Sequence, residues 1–427
     1  MKDLCCSGYT LFGYAGPASV SLLVDMKGNE VHTWPFGGAP VKMMPGGSLL
    51  AGKRRRLGKD PLKRDPGDDP SAEPGPENPP WQDTIELIQV SWDGEEEWSF
   101  SGWDDDGTGV MMSRQHHDLQ REGNPVGYYA PGQDFLPEGK TLVLSHKNKV
   151  IPGICKEELL DDVLYEVDWE GKLLGFQWHA AEHFEEFGFD DTAKKAIYEC
   201  RNFDRKKGFS DWLHLNSASY LGQNPWYDKT GDERFKPENI IISSRSANFV
   251  AIIDYGTGRI VWKIGPDFVE TSPEYGLGQI VGQHHAHMIP RGLPGEGNIL
   301  LFDNGGKSGY GGPEGYPRYT REYSRVVEFD PTTFEIVWQY GAERGKEHFF
   351  SHFISGAQRL PNRNTLITDG ANGRIFEVTR EKEMVWEFLA PAQGGFGNKV
   401  YRAYRVPPEW MPGNPAGYRG WGSSGDW

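Results

Sequence analysis

The sequence predicts an all-β fold, a six-bladed β-propeller with four-stranded blades. Three observations predict it: a strand–turn–strand pattern that recurs six times, a composition of aromatics and turn formers, and an unmatched strand at each end of the chain. The 427 residues include 15 tryptophans, 55 glycines and 30 prolines, a mixture suited to short strands broken by turns. A closed all-β ring can use that length as a single domain over residues 1–427.

The recurring unit is an alternating apolar strand, a polar or acidic turn, and a strand bearing tryptophan. It reads Leu22-Leu23-Val24-Asp25 to Trp34, Ile88-Gln89-Val90 to Trp98, and Tyr165-Glu166-Val167-Asp168 to Trp178. It returns as Ile252-Ile253-Asp254 to Trp262, Val327-Glu328-Phe329-Asp330 to Trp338, and Phe376-Glu377-Val378 to Trp386. Period-2 alternation in six copies predicts six outer hairpins. Inner strands are predicted to begin near Lys42, His117, His214, His287 and His352. Tyr401 to Val406 reads as a sixth inner strand with no hairpin after it, while Gly8 to Phe12 and the Trp34 hairpin have no inner strand before them. The two ends therefore complete one blade together, which removes a sheet edge. An open array of sandwiched sheets is the rival, and it leaves this match of ends unexplained. Two insertions interrupt the order: residues 53–80, a flexible loop that opens on Arg54-Arg55-Arg56, and residues 179–210, which read as helical.

Charge and composition narrow the partners. Forty-five Lys and Arg face 61 Asp and Glu, a net charge of −16, which disfavours nucleic acid and anionic membrane surfaces. No apolar run approaches the roughly 20 residues of a membrane span. Met1 to Cys6 has no apolar signal core, so a cytoplasmic address is expected. Cys5, Cys6, Cys155 and Cys200 show neither metal-ligand spacing nor a disulfide framework.

Seven of the 12 histidines fall where inner strands are predicted to start: His116-His117, His214, His284-His285 with His287, and His352. Alternation along a strand sets His285 and His287 on one side and His284 on the other, and allows only one of His116 and His117, preferably His117, to face the channel. Recurrence at the same place in successive blades predicts convergence on one channel mouth, a concave site of titratable groups. His32, His146, His179, His183 and His348 read as structural. Two chemistries fit such a cluster. A neutral imidazole can attack a sulfuryl or phosphoryl group while Arg402, Arg405, Arg245, Asn216 or Asn304 stabilise its oxygens. Alternatively His117, His214, His287 and His352 hold a divalent metal, with Asp118 and Asp211 behind the imidazoles, in a lyase, hydrolase or oxygenase.

Gly8-Tyr9-Thr10-Leu11-Phe12, Asp211-Trp212-Leu213-His214-Leu215-Asn216-Ser217, His287 with Asn298 to Gly305, and Ser324 to Glu328 resemble the arylsulfate sulfotransferase family. The resemblance extends over most of the chain, and its most specific part is the stretch from Asp211 to Ser217. It implies a six-bladed propeller that moves a sulfuryl group between phenols through a sulfated histidine, without a nucleotide donor or other cofactor, and it implies that His214 and His287 line the site. Where the family carries an arginine after its Asn-Gly turn, this chain reads Gly305-Gly306-Lys307. On this reading His352 or His287 is the nucleophile, His214 a general acid/base or oxyanion donor, and His117 a further donor. Asn216, Asn304, Arg402 and His285 contact substrate, and Trp212, Phe353, Tyr401 and Tyr404 wall an aromatic acceptor. A non-catalytic propeller scaffold is the remaining alternative.

Overall fold

A computed structural model describes residues 4–15, 20–37, 40–53, 83–105, 109–200, 210–393 and 397–421. The Arg54-Arg55-Arg56 loop lies outside them. Six four-stranded antiparallel sheets form six blades. Blade 1 runs Val400–Val406, Tyr9–Tyr14, Ser21–Val24, Glu30–Trp34 from channel to rim. Blade 2 runs Lys42–Met43, Leu49–Lys53, Glu86–Val90, Glu96–Phe100, and blade 3 runs Gln115–Arg121, Thr141–Lys149, Leu159–Val167, Leu173–His179. Blade 4 comprises Leu215–Tyr220, Ile240–Ser244, Phe249–Ile253, Ile260–Ile264; blade 5, His284–Met288, Ile299–Asp303, Arg325–Phe329, Ile336–Tyr340; blade 6, Gly356–Arg359, Thr365–Asp369, Arg374–Val378, Met384–Leu389.

Ring closure follows the expectation. Tyr9 pairs with Val406, Leu11 with Tyr404 and Gly13 with Arg402, so the last strand supplies the inner edge of the first blade. Inner strands are almost wholly buried, whereas outer strands carry several exposed or half-buried side chains. The contrast is that of a sheet packed between neighbours at its centre and wetted at its rim.

The recurring tryptophans have a specific task. The indole N–H of Trp178 donates to Gly258 O at 2.9 Å, Trp262 to Pro331 O at 2.8 Å, Trp338 to Arg380 O at 2.9 Å, and Trp386 to Met26 O at 2.9 Å. Each outer strand is thereby tied to the hairpin turn of the next blade, and the last tie crosses the seam between blades 6 and 1. Trp34 and Trp98 make ring contacts instead: Trp34 meets Trp92 edge-on, and Trp98 stacks on Trp169 beneath the Arg121 guanidinium.

Some elements depart from expectation. Blade 6 begins at Gly356, four residues after His352, because Ile354 (φ 51°) and Ser355 (φ 90°) leave the extended region. Among the described residues, the insertion after blade 3 holds a kinked 3₁₀ segment, Ala180–Phe187, and one α-helix, Asp191–Tyr198, whose N-cap Asp190 accepts from Ala193 N. Ser210–Asp211 then adds in parallel to Leu159–Leu160 of blade 3, and this places Asp211 beside the channel mouth. Cys155 and Cys200, unpaired in the sequence reading, are buried with their sulfurs 2.6 Å apart. No helix among the described residues is long and apolar enough to cross a membrane.

Candidate functional site

The first residues of three inner strands are not regular β. His117 (φ 58°), His214 (φ 51°) and His285 (φ 53°) adopt the left-handed conformation, and the pairing register slips at or beside each one. A non-glycine residue there costs about 1 kcal/mol. In exchange the bulge turns its side chain out of the pleat, a device that re-aims residues at functional sites. Simple alternation therefore fails where the site is built.

The bulges sort the histidines into two groups. Near the mouth, His117 lies edge-on to His214 with ring centroids 4.5 Å apart and shares a 2.8 Å contact, Nδ1 to Nδ1, with His116. The His214 Nδ1 meets Asp211 Oδ2 at 2.5 Å, leaving Nε2 directed away from the pair. Burial opposes charge on Asp211, but the His214 imidazole outweighs it and holds the carboxyl below its ordinary value. His284 joins this group: its Nδ1 contacts Asn304 Oδ1 at 2.8 Å, and it lies in the field of Arg245 and His214. Burial, followed by the neighbouring cations and imidazoles, pushes His116, His117 and His284 well below the usual imidazole range, so they are neutral.

Deeper in the channel, His285 and His287 sit with centroids 4.4 Å apart. Both His287 nitrogens are taken, Nε2 by Tyr128 Oη at 2.9 Å and Nδ1 by His285 O at 3.0 Å. Below them Asp118 accepts from Lys42 Nζ at 2.8 Å and from Arg402 at 3.1 Å, with all three side chains buried. Arg402 also donates to Asn216 O at 3.2 Å.

Several sequence expectations need correction. His352 is not in the buried cluster; it is exposed on the loop before blade 6, beside Phe353 at 4.6 Å and Phe350 at 6.0 Å, in the field of Arg245 and Lys399. Trp212 cannot wall an acceptor, because it is wholly buried against Phe184 and Phe187 under the helical insertion. Arg402 is engaged by Asp118, and Arg405 by Glu377 at 3.1 Å, between buried side chains. Asn216 and Asn304 brace backbone: Asn216 donates to Gln283 O, and Asn304 to Ser351 O and Ile354 O. Tyr401 and Tyr404 are buried, with the Tyr401 hydroxyl donating to His117 O at 3.0 Å. His117, His214, His287 and His352 are consequently not gathered as one set of metal ligands. Among the described residues, the group with that spacing is His116, His146 and Asp162.

His146, read as structural, stacks on His116 with centroids 3.6 Å apart and binds Asp83 Oδ1 through Nδ1 at 2.6 Å. The signal for this group was present in Asp161-Asp162: two adjacent acids inside an apolar strand, both buried. Asp83 carried no such signal, since it follows the long insertion of blade 2.

Comparison with known proteins gives the following. Residues 132–390 match the family model described as Arylsulfotransferase (ASST). No curated protein matches. Among solved structures, a protein of unknown function from Bacteroides caccae is 11% identical with a TM-score of 0.46, over 94% of this chain and 99% of that one. A putative 6-phosphogluconolactonase from Bacteroides fragilis is 10% identical with a TM-score of 0.38, over 94% and 98%. A β-propeller domain from Myceliophteria thermophila is 8% identical with a TM-score of 0.40, over 91% and 89%. These distant structural likenesses bear on neither reaction nor substrate. The family match, which takes in more than half of the sequence, is of a different kind: this chain belongs to the arylsulfotransferase (ASST) family.

Proposed function

We propose that the protein transfers a sulfuryl group from an aryl sulfate to a phenolic acceptor at the lip of the channel, with His352 as the covalent carrier. One observation carries the assignment: His352 is an exposed imidazole on the loop before blade 6, and it stands between aromatic rings and cations. Phe350 and Phe353 offer faces to an aryl ring, and Arg245 and Lys399 offer charge to sulfuryl oxygens. Partial burial, then Arg245 and Lys399, lower the His352 pKa from its ordinary 6.5, so the ring is neutral and nucleophilic at pH 7. Arg245 also connects the lip to the dyad, since its backbone N–H donates to His214 O at 3.2 Å.

In the first half-reaction a His352 nitrogen attacks sulfur, the S–O bond to the aryl group breaks, and the departing phenolate takes a proton from His214. In the second, a phenol gives its proton back to His214, its oxygen attacks sulfur, and the N–S bond breaks. Asp211 fixes the His214 tautomer and stabilises the imidazolium that donates in the first step and is regenerated in the second. Atoms and charge return to their starting state, and no nucleotide is consumed.

The test is an intact-mass measurement after mixing with 4-nitrophenyl sulfate and no acceptor. Wild type should gain the mass of one SO₃ group, His352→Ala none, and His214→Ala should form the adduct more slowly. An adduct undiminished in His352→Ala would overturn the assignment.

A further inference from the structure

Beside His117, which contacts His116 at 2.8 Å, three buried ligand atoms have no hydrogen-bond partner: His116 Nε2, His146 Nε2 and Asp162 Oδ2. All three residues are buried, at 1%, 1% and 0% exposure. An unpartnered buried polar atom costs about 1–3 kcal/mol, so three in one place call for a shared occupant. We propose that His116, His146 and Asp162 form a binding site for one divalent first-row transition ion, with Zn(II) as the reference probe.

The donor set supports the class. Two imidazoles and a carboxylate are borderline ligands suited to Zn(II), Fe(II) or Co(II) rather than to Ca(II) or Mg(II), which take oxygen donors. Spacing agrees. Bonds of about 2.0–2.2 Å bring ligand atoms about 3–4 Å apart. Here His116 Nε2 lies 3.3 Å and His146 Nε2 4.0 Å from the other oxygen of the same carboxylate, Asp162 Oδ1, which accepts from Leu215 N at 3.0 Å, and one ligand atom from each of the three groups lies within 4.8 Å of the others.

The surrounding groups are those such ligands require. In each imidazole the other nitrogen is already engaged: His146 Nδ1 meets Asp83 Oδ1 at 2.6 Å, and Asp83 is itself held by Arg114 Nε at 2.9 Å. This is the carboxylate–histidine support that orients metal-bound imidazoles and fixes their tautomer. The Nδ1 of His116 meets His117 Nδ1 at 2.8 Å. An ion on His116 Nε2 leaves the proton on Nδ1, where it is donated to His117. The proton of His117 is then on Nε2, and that ring becomes a donor beside His214. The ion thus acts as a positioning element for the mouth, two imidazoles away from it.

Metal binding is measured directly on the full chain, independently of any transfer activity. Apoprotein is incubated with Zn(II), desalted and analysed for metal, and a parallel sample takes Co(II) for its visible absorption. Wild type should retain one equivalent of Zn(II), show Co(II) ligand-field bands and melt higher when loaded. Asp162→Asn and His146→Ala should lose retention and the melting shift, whereas Asp83→Asn should fold and bind about 10–100-fold more weakly. Retention unchanged in His146→Ala, or a wild type that folds but neither retains Zn(II) nor shows Co(II) bands, would overturn the site and leave a water as its occupant. Neither result touches the His352 adduct, so the two proposals fail separately.

Discussion

Replacing Asp118 by Asn tests what holds the ring together at its axis. The carboxylate joins three blades: Lys42 from blade 2, its own strand in blade 3, and Arg402 from the closing strand of blade 1. Both cations are 1% exposed, so the substitution leaves two buried positive charges without a counter-charge. Lys42 keeps Leu119 O at 2.6 Å and Gln120 Oε1 at 2.8 Å, and Arg402 keeps Asn216 O, which limits the damage. Breaking a buried ion pair by removing one partner costs about 3–5 kcal/mol. With an unfolding entropy of about 2.1 cal/mol/K per residue, the whole chain changes by roughly 0.9 kcal/mol per kelvin, so Tm should fall by about 3–6 °C. Differential scanning calorimetry at pH 7 reads the shift. The triple replacement Lys42→Met, Asp118→Leu, Arg402→Met removes all three charges together and should melt closer to wild type than Asp118→Asn does. A shift under about 1 °C for Asp118→Asn, or a triple variant that melts below it, would refute the reasoning.

Four further outcomes are expected. Asp211→Asn should lower steady-state turnover of an aryl sulfate by about 10²–10³-fold with little change in KM, because the His214 imidazolium loses its partner during transfer; unchanged turnover would remove the dyad from the mechanism. The acid limb of kcat/KM should lie below pH 6.5, since a lowered His352 pKa delays protonation until the pH falls further, and Arg245→Gln should move that limb upward as one source of repulsion is lost; a limb that stays in place would deny their proximity any role. Ending the chain at Gly395 removes the partner of Tyr9–Tyr14 and should abolish a single cooperative melt by circular dichroism, whereas a wild-type melt would contradict closure by shared ends. Diamide should join Cys155 to Cys200, two thiols giving up two protons and two electrons to the reagent, and a non-reducing peptide map should show the crosslink; burial holds the Cys155 thiol up near 12, so the reaction should be slow at neutral pH. A map without that crosslink at completion would count against it.

The blades were legible because their signal is repetition. Six hairpins with a tryptophan in fixed phase can be read without knowing any contact, although the task of the tryptophan, a bond to the next blade's turn, could not. The site was legible only in part, because its geometry violates the rule used to read strands. Positive φ at His117, His214 and His285 turns side chains off the pleat, so alternation placed His284 away from a cluster it joins. His352 was assigned to a strand that starts four residues later. Asp83 and His146 come from non-adjacent places in the chain, and nothing local to either residue announces a long-range pair. Arg402 looked available because a sequence shows charge but not who neutralises it.

The shared first blade has a consequence for how the protein is made. Tyr9–Tyr14 leaves the ribosome long before its channel-side partner, Val400–Val406. Until that partner is made, Tyr9–Tyr14 presents an unsatisfied backbone edge, and blades 2 to 6 form an open arc whose terminal faces are wet. Contacts of such large sequence separation form slowly and expose intermediates to association. The open arc is exposed to association until its closing strand arrives, and the net charge of −16 opposes that association by mutual repulsion.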